Sequence, residues 1–362
     1  MKILLFGEFS GLFNCLKDGL IANGHEVFLA SGGDGSKNYP SDLRWDAFNY
    51  QKYIGKLYHF IELKNIWNNK KLLRGYDAVL LISPTHPFGT YPSLIKPIYN
   101  YLFNNNEKVF LSGSALFPIG LKYWYETNEK YHYYVEGDFQ DRPPLKAFID
   151  NPKYIEWEHY VLDHLNGYIP IWYEYAQPYR NYTRITPTIR IPINVDQFEY
   201  KPNQVKEKIV FFCGLSSRPI SKGNPVILKA FDRLRDKYRN EAEFISAGGL
   251  PFDDYMKLVS RINVILDDAN SYSIAMNGLF SLAKGKIVMG GAEPIANKEL
   301  GLEWNPVYNL CPDIDQICSC IEDVINKKDQ IEEMGRKGRE FVEQYHDYRD
   351  IAKQYVDIFE KY

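Results

Sequence analysis

The sequence predicts an α/β protein built from two doubly wound domains, each a parallel sheet covered by helices. Three observations carry that expectation. Lys2–Ala30 runs in the order apolar strand, glycine turn, helix, glycine and strand, which is the βαβ unit of a parallel sheet. A second series of the same kind opens at Lys208. Between the two, Gln177–Asn203 carries Pro178, Pro187, Pro192 and Pro202, poor helix material that suits a connection. The length of 362 residues is also that of about two domains.

In the first series Lys2–Gly7 is a short apolar run, and Leu12, Leu16, Leu20 and Ile21 recur at helical spacing across Gly11–Ala22. Gly24 closes that helix and His25–Ala30 resumes as a strand. Asp77–Ser83 and Lys108–Ser112 read as buried strands, with a helix between Ser93 and Phe103. Tyr123–Arg142 is aromatic and charged, and reads as an irregular excursion or a short helical insertion. Tyr168–Trp172 is a further strand. The second series places strands at Lys208–Cys213, Glu243–Ser246, Asn263–Leu266 and Lys286–Met289. Helices are expected at Asn224–Arg239, at Phe252–Ser260 and in the stretch ending at Ala283. Asp313–Tyr362 is mostly helical, with a break near Tyr345–Tyr348. No repeat of about 20–50 residues appears, so solenoids and propellers are excluded.

Composition narrows the class. Apolar residues make up 45% and charged residues 25%, the balance of a globular chain and not of a disordered or fibrous one. Lys and Arg number 43 against 46 Asp and Glu, a net charge of −3, so no basic excess points to nucleic acid. The five cysteines (Cys15, Cys213, Cys311, Cys318, Cys320) form no CxxC pair. A disulfide framework or zinc site is not expected, and a reducing cytoplasm is the simpler location. The opening apolar run is too short for a signal-peptide core, and Glu8 interrupts it. Aromatic residues reach 15%, which suits broad clefts and interfaces, although lineage bias is the plainer account.

Three loops could carry chemistry. Gly7-Glu8-Phe9-Ser10-Gly11 joins a strand to a helix, where glycine lets backbone N–H groups approach a ligand; a structural turn is the alternative. Gly214–Gly223 places Arg218 and Lys222 between a strand and a helix N-terminus, a setting that favours a diphosphate. Solvated surface charges would look the same. Asp267–Gly278 follows a strand with small and polar residues; Asp267 and Asp268 are expected to cap or turn rather than bind metal. His86, just past a strand end, is the histidine best placed for a site. No GxSxG, HExxH or Cys/His nucleophile pair appears, so covalent hydrolysis is not indicated.

Taken in order, these segments resemble the GT-B glycosyltransferases of the large retaining family four. The residues that carry the resemblance are Gly24-His25-Glu26-Val27, Ile191-Pro192-Ile193-Asn194-Val195-Asp196 with Phe198 and Pro202, Gly214 through Lys222-Gly223, Gly248-Gly249-Leu250-Pro251, Asn263–Leu266 and Gly285-Lys286-Ile287-Val288. The resemblance implies two Rossmann-like doubly wound domains facing a cleft. It assigns 1–178 to an acceptor-side domain joined by a C-terminal helix at 345–362, 179–205 to a linker, and 206–344 to a nucleotide-sugar domain. It implies transfer of a sugar from a UDP- or GDP-type donor to a glycan, lipid-linked or protein acceptor, with retention and without a metal or other cofactor. Arg218, Lys222 and His86 would serve catalysis. Gly214, Gly249, Leu250, Ser271, Tyr272, Ser273 and Asn277 would hold the donor, and Glu8, Ser10 and Gly11 would line the acceptor side.

The sequence departs from the family in its paired glutamates, whose positions fall on Tyr272 and Phe280; Asn277, one turn earlier, is the substitute at hand. A nucleotide-sugar 2-epimerase-like isomerase, with Asp267, Asp268 and Glu293 as its carboxylates, and a non-catalytic scaffold share the fold. Lys64–Arg74 is basic and apolar; it suits peripheral contact with the inner face of a membrane or a solvated surface helix.

Overall fold

Alternating apolar runs and glycine turns fold into two parallel sheets. The computed structural model describes residues 1–45, 58–85, 92–215, 217–249, 258 and 260–362. Its contacts divide the chain into unit 1 (Met1–Leu121, Phe148–Asn194, Asp347–Tyr362) and unit 2 (Lys122–Ala147, Val195–His346).

Unit 1 contains β1 (Lys2–Phe6), α1 (Leu12–Ala22), β2 (Glu26–Ser31), β3 (Leu43–Arg44), α2 (Tyr58–Asn68), β4 (Ala78–Leu81), α3 (Pro92–Asn105) and β5 (Lys108–Gly113). Helix α4 (Pro118–Tyr125) closes this run. Among the described residues its strands form a six-stranded sheet in the order β3-β2-β1-β4-β5-β6, where β6 is Gly167–Pro170. All neighbours pair in parallel. Ile3–Phe6 and Ala78–Leu81 are fully buried, as strands covered on both faces must be. The order reverses between β1 and β4, so the loops that follow those two strands meet at the switch point of this sheet.

Unit 2 contains β7 (Ile209–Gly214), β8 (Ala242–Ala247), β9 (Val264–Leu266), β10 (Ile287–Gly290) and β11 (Tyr308–Asn309). They are ordered β11-β10-β9-β7-β8, again with parallel neighbours. The switch point lies between β7 and β9, so the loops after Gly214 and Leu266 meet at the carboxyl edge of this sheet. Apolar side chains of β7, β9 and β10 pack with Ile227, Phe231, Ile317 and Ile321 in one core.

Two details depart from the sequence-based boundaries. The 122–147 segment, assigned by sequence to the first domain, packs in unit 2. Its helix α5 (Lys130–Asp141) buries Tyr131, Val135 and Phe139, an i, i+4, i+8 stripe. The indole of Trp124 lies 5.8 Å from the Tyr272 ring, and Lys130 Nζ bonds Glu293 Oε1 at 2.8 Å. Aromatic and ionic contacts therefore set its allegiance. The edge strands β3 and β11 are two residues long, too short to show a period. The Phe252–Ser260 helix falls largely outside the described residues.

The tail breaks at His346–Asp347, between helices Ile331–Tyr345 and Tyr348–Lys361. Asp347 caps the last helix by accepting from the Arg349 N–H at 2.9 Å, as an N-cap aspartate does. That helix packs in unit 1 on α1 at Gly19, where a Cβ would lie 2.9 Å from the Ala352 methyl. Among the described residues no helix is long and apolar enough to cross a membrane.

Candidate functional site

The switch point of the second sheet is built from two loops. Residues 217–223 turn back on themselves: the Gly223 N–H bonds the Ile220 carbonyl at 3.0 Å and the Asn224 N–H bonds the Pro219 carbonyl at 2.9 Å. Gly223 adopts φ +71°, a left-handed conformation that lets the chain enter the helix Asn224–Arg235. The second loop fastens the first. Asn270 Nδ2 donates to the Ser221 carbonyl at 2.9 Å, and the Ala269 N–H to the Lys222 carbonyl at 3.0 Å. Ser221 is fully buried in consequence.

This arrangement aims Lys222 at the end of β9. Its Nζ lies 2.9 Å from Asp267 Oδ1, with side-chain exposures of 17% and 4%. The Asp267 charge pushes the Lys222 ammonium well above its ordinary range. Asp268 is buried too; burial, with Asp267 adding, pushes its carboxyl up to about 7 against the opposing pull of Lys222. Asp268 Oδ1 accepts from the Asn270 N–H at 2.9 Å, the turn-forming role expected of it. Asp267 does not turn the chain; it holds the lysine. Among the described residues, no group of three or more His, Cys, Asp or Glu side chains stands ready to hold a metal ion.

Helix α5 supplies the third wall. Arg218 donates to the Tyr134 hydroxyl at 3.0 Å and stands 3.8 Å from Asp138. Asp138 is buried and also pairs with Arg142, whose Nε lies 3.2 Å away. The Asp141 carboxylate accepts from the N–H groups of Ile220, at 3.0 Å, and Ser221, at 2.9 Å. A Cβ at Gly137 would lie 2.6 Å from the Ser221 nitrogen, so only glycine lets the helix approach this closely. Sequence reasoning missed Tyr134, Asp138 and Asp141. Their i, i+4, i+7 spacing marks one helical face and was the signal available.

Of the other expected donor residues, Gly214 ends β7 and Gly249 follows β8 with φ +65°. Leu250 lies outside the described residues. Ser271, Tyr272 and Ser273 are buried. The Ser271 hydroxyl bonds the Ser273 carbonyl at 2.9 Å, and the Tyr272 hydroxyl bonds Glu129 at 3.0 Å. Asn277 is exposed on the first turn of Met276–Ala283. Phe280 packs at a tilt against Phe198, ring centres 4.8 Å apart, so the position of one family glutamate is filled by an aromatic packing contact.

The glycine loop of unit 1 corrects an expectation. Its N–H groups are not aimed outward: those of Gly11, Phe13 and Asn14 donate to the Glu8 carboxylate at 3.0, 3.3 and 2.9 Å. Asn14 Nδ2 adds a fourth bond at 2.6 Å. Glu8 is fully buried, and burial pushes its carboxyl up. Ser10 donates its N–H to Asp34 at 2.8 Å and accepts at its hydroxyl from Lys37 at 2.8 Å. His86 lies outside the described residues.

No protein-family model and no curated protein matches the sequence. Solved structures do match the fold. The sucrose-phosphate synthase of Thermosynechococcus elongatus aligns with a TM-score of 0.64 at 13% identity, over 100% of this chain and 99% of its own. Anabaena HepE in complex with UDP aligns with a TM-score of 0.59 at 11% identity, over the whole of both chains. The lipopolysaccharide outer core galactosyltransferase WaaB aligns at 0.50 and 12% identity, again over both whole chains. The chain has the two-domain GT-B fold.

Proposed function

We propose that this chain is a glycosyltransferase that moves a sugar from a nucleotide-diphosphate donor, held on unit 2, to a glycan, lipid-linked or protein acceptor. The observation that carries the reading is the loop bearing Arg218 and Lys222, which stands at the switch point of the second sheet, where open α/β sheets bind ligands. Neighbours of the same fold support it: HepE has been captured with UDP and with UDP-glucose, and WaaB is a galactosyltransferase.

The chemistry follows from charge. Cleaving the sugar–phosphate bond leaves negative charge on the departing diphosphate, and stabilising that charge is the main electrostatic task. Arg218 offers a planar fork of donors and Lys222 a compact ammonium; together they would perform the neutralisation without a metal. Gly249 and Leu250 would hold the base, the amides of Ser271–Ser273 would add phosphate contacts, and Asn277 would take the ribose. Transfer would retain the anomeric configuration. Unit 1 would handle the acceptor, with Ser10, Gly11 and His86 toward it and Glu8 shaping the loop from within. The reading places the enzyme in the cytoplasm. Phe60, Trp67 and Leu72 are exposed among basic residues, with Lys70 Nζ 3.8 Å from the Trp67 ring centre, a surface suited to anionic lipid. Sedimentation with anionic vesicles tests that contact; a chain left wholly in the supernatant rejects it.

The reading as a whole is tested by thermal shift and calorimetry with UDP, GDP, ADP, CMP and their sugar conjugates. A ligand at ~100 times its Kd adds ~2.7 kcal/mol of stability. Stabilisation by one nucleotide, lost in Arg218→Ala, is expected; silence toward all of them rejects the reading.

One observation favours a second reading. Asp267 and Asp268 stand next to each other, both buried, directly after β9, and burial pushes the Asp268 carboxyl up to about 7, toward the range of a group that exchanges protons near neutrality. A nucleotide-sugar isomerase would use this pair, and would interconvert sugar epimers with no acceptor present. Absence of conversion removes this alternative.

A further inference from the structure

The loop that would take the donor diphosphate is already occupied by carboxylates of this chain. Asp141 holds the N–H groups of Ile220 and Ser221, Asp138 stands against Arg218, and Asp267 holds Lys222. With Asp268 beside them, four carboxylates surround the three cations Arg218, Lys222 and Arg142. An incoming phosphate would meet backbone N–H groups that already donate to Asp141 and cations that already face carboxylates.

The four carboxylates differ in how they are held. Asp267 and Asp268 directly follow β9 and are buried at the sheet edge. Asp138 and Asp141 arrive on α5, within an excursion that leaves unit 1 after Leu121 and re-enters it at Phe148. Beyond the loop, its polar anchors in unit 2 among the described residues include Lys130 with Glu293 and the Leu310 carbonyl, and Glu129 with Tyr272. The helix contributes no strand to the sheet, so displacing it breaks none of the ladder's hydrogen bonds. Its displacement would also expose Arg218 and two backbone N–H groups together, which is the donor set an anion needs.

We propose that α5 is a displaceable internal ligand: Asp138 and Asp141 occupy the phosphate-binding groups of the 218–222 loop, and a nucleoside diphosphate must displace them to bind. This rests on the nucleotide-sugar reading above for the identity of the ligand, but the competition itself concerns any diphosphate. The chain with α5 seated does not bind, so the apparent affinity is the intrinsic affinity reduced by the fraction of molecules with α5 displaced.

The test is calorimetric titration of the full chain, of Asp141→Ala and of Asp138→Asn/Asp141→Ala, with UDP and separately with inorganic pyrophosphate. Removing the competing carboxylates should tighten both ligands by about tenfold or more, the scale of a charge-assisted hydrogen bond. UDP binding that is equal in all three proteins overturns the competition and leaves the transferase reading standing. Pyrophosphate binding gained in the variants, with no nucleotide preferred, supports the competition and counts against the transferase reading. Binding of neither ligand by any of the three overturns both. Hydrogen exchange on the unmodified chain gives a readout free of folding defects in the variants. UDP should slow exchange in 218–222 and speed it in 130–141; protection of both segments overturns the proposal.

Discussion

Replacing Lys222 with Met strikes the pair at the centre of the site. Its ammonium lies 2.9 Å from Asp267, and the two side chains are withdrawn from water to 17% and 4% exposure. Two charges so placed stabilise each other chiefly by sparing each other isolation, so removing one strands the other. Breaking a buried pair in this way costs on the order of 3–5 kcal/mol. Nothing nearby takes over: Asp267 Oδ2 is itself buried without a hydrogen-bond partner among the described residues, and the neighbour Asp268 adds like charge. We expect Lys222→Met to lower stability by about 3 kcal/mol at pH 8.

The double variant Lys222→Met/Asp267→Asn removes both charges and should recover most of the loss. Urea titrations of the four proteins of this cycle yield the coupling energy directly. A single-variant loss under about 1 kcal/mol, with no coupling to Asp267, is the behaviour of an exposed ion pair and would refute the reasoning. The cycle also protects the nucleotide-binding test, since loss of binding in a Lys222 variant means little if unit 2 has unfolded.

Glu8→Ala removes the acceptor for three backbone N–H groups and the Asn14 amide, and should cost about 3 kcal/mol in a urea titration; a loss below about 1 kcal/mol would show that water replaces the carboxylate. Glu158 is fully buried, accepts from the Tyr179 hydroxyl and the Ile119 N–H, and burial pushes its carboxyl up to about 7. The folded chain therefore keeps a proton that the unfolded chain releases from about 4.5 upward, so this group's contribution is complete below 4.5 and is lost as pH rises to about 7. Asp268 acts with the same sign from 3.8 to about 7, so Glu158→Gln should flatten, not abolish, the decline in urea midpoint between pH 5 and 7.5; an unchanged slope rejects the assignment. Gly19→Ala would set a methyl against the Tyr348 carbonyl and 2.9 Å from Ala352, and should lower stability by about 2 kcal/mol through overpacking, read as a fall in melting temperature.

Most of the scaffold was legible because its signals are local. Apolar runs such as Ala78–Leu81, closed by glycine or polar turns, specify buried parallel strands wherever they occur. The break expected near Tyr345–Tyr348 falls at His346–Asp347, where the structure shows Asp347 capping the last helix. The path of 122–147 was not legible. Tyr131, Val135 and Phe139 specify a helix but not the surface it covers, and that surface is set by Trp124, Tyr272 and Glu293 from elsewhere in the chain. The site divides along the same line. Arg218 and Lys222 could be read as a cationic loop between a strand and a helix, whereas their counter-charges, Asp138 and Asp267, come from 80 and 45 residues away. Long-range partners of that kind leave no mark on local spacing.

The two glycine-bordered loops show why the distinction matters for function. Each has its N–H groups satisfied by a carboxylate, so each looks closed to an anion. In unit 1 the carboxylate is Glu8, within six residues of every group it bonds. It cannot leave without unwinding the turn and the start of α1, and it pays no attention to ligands because the geometry it holds is the fold itself. In unit 2 the carboxylate is Asp141, 79 and 80 residues from Ile220 and Ser221, on a separate helix, while the loop has turn bonds of its own. Sequence separation thus divides a cap from a gate. If Asp141 behaves as Glu8 does, its removal should weaken the loop and the ligand alike; if it is displaceable, removal should strengthen binding.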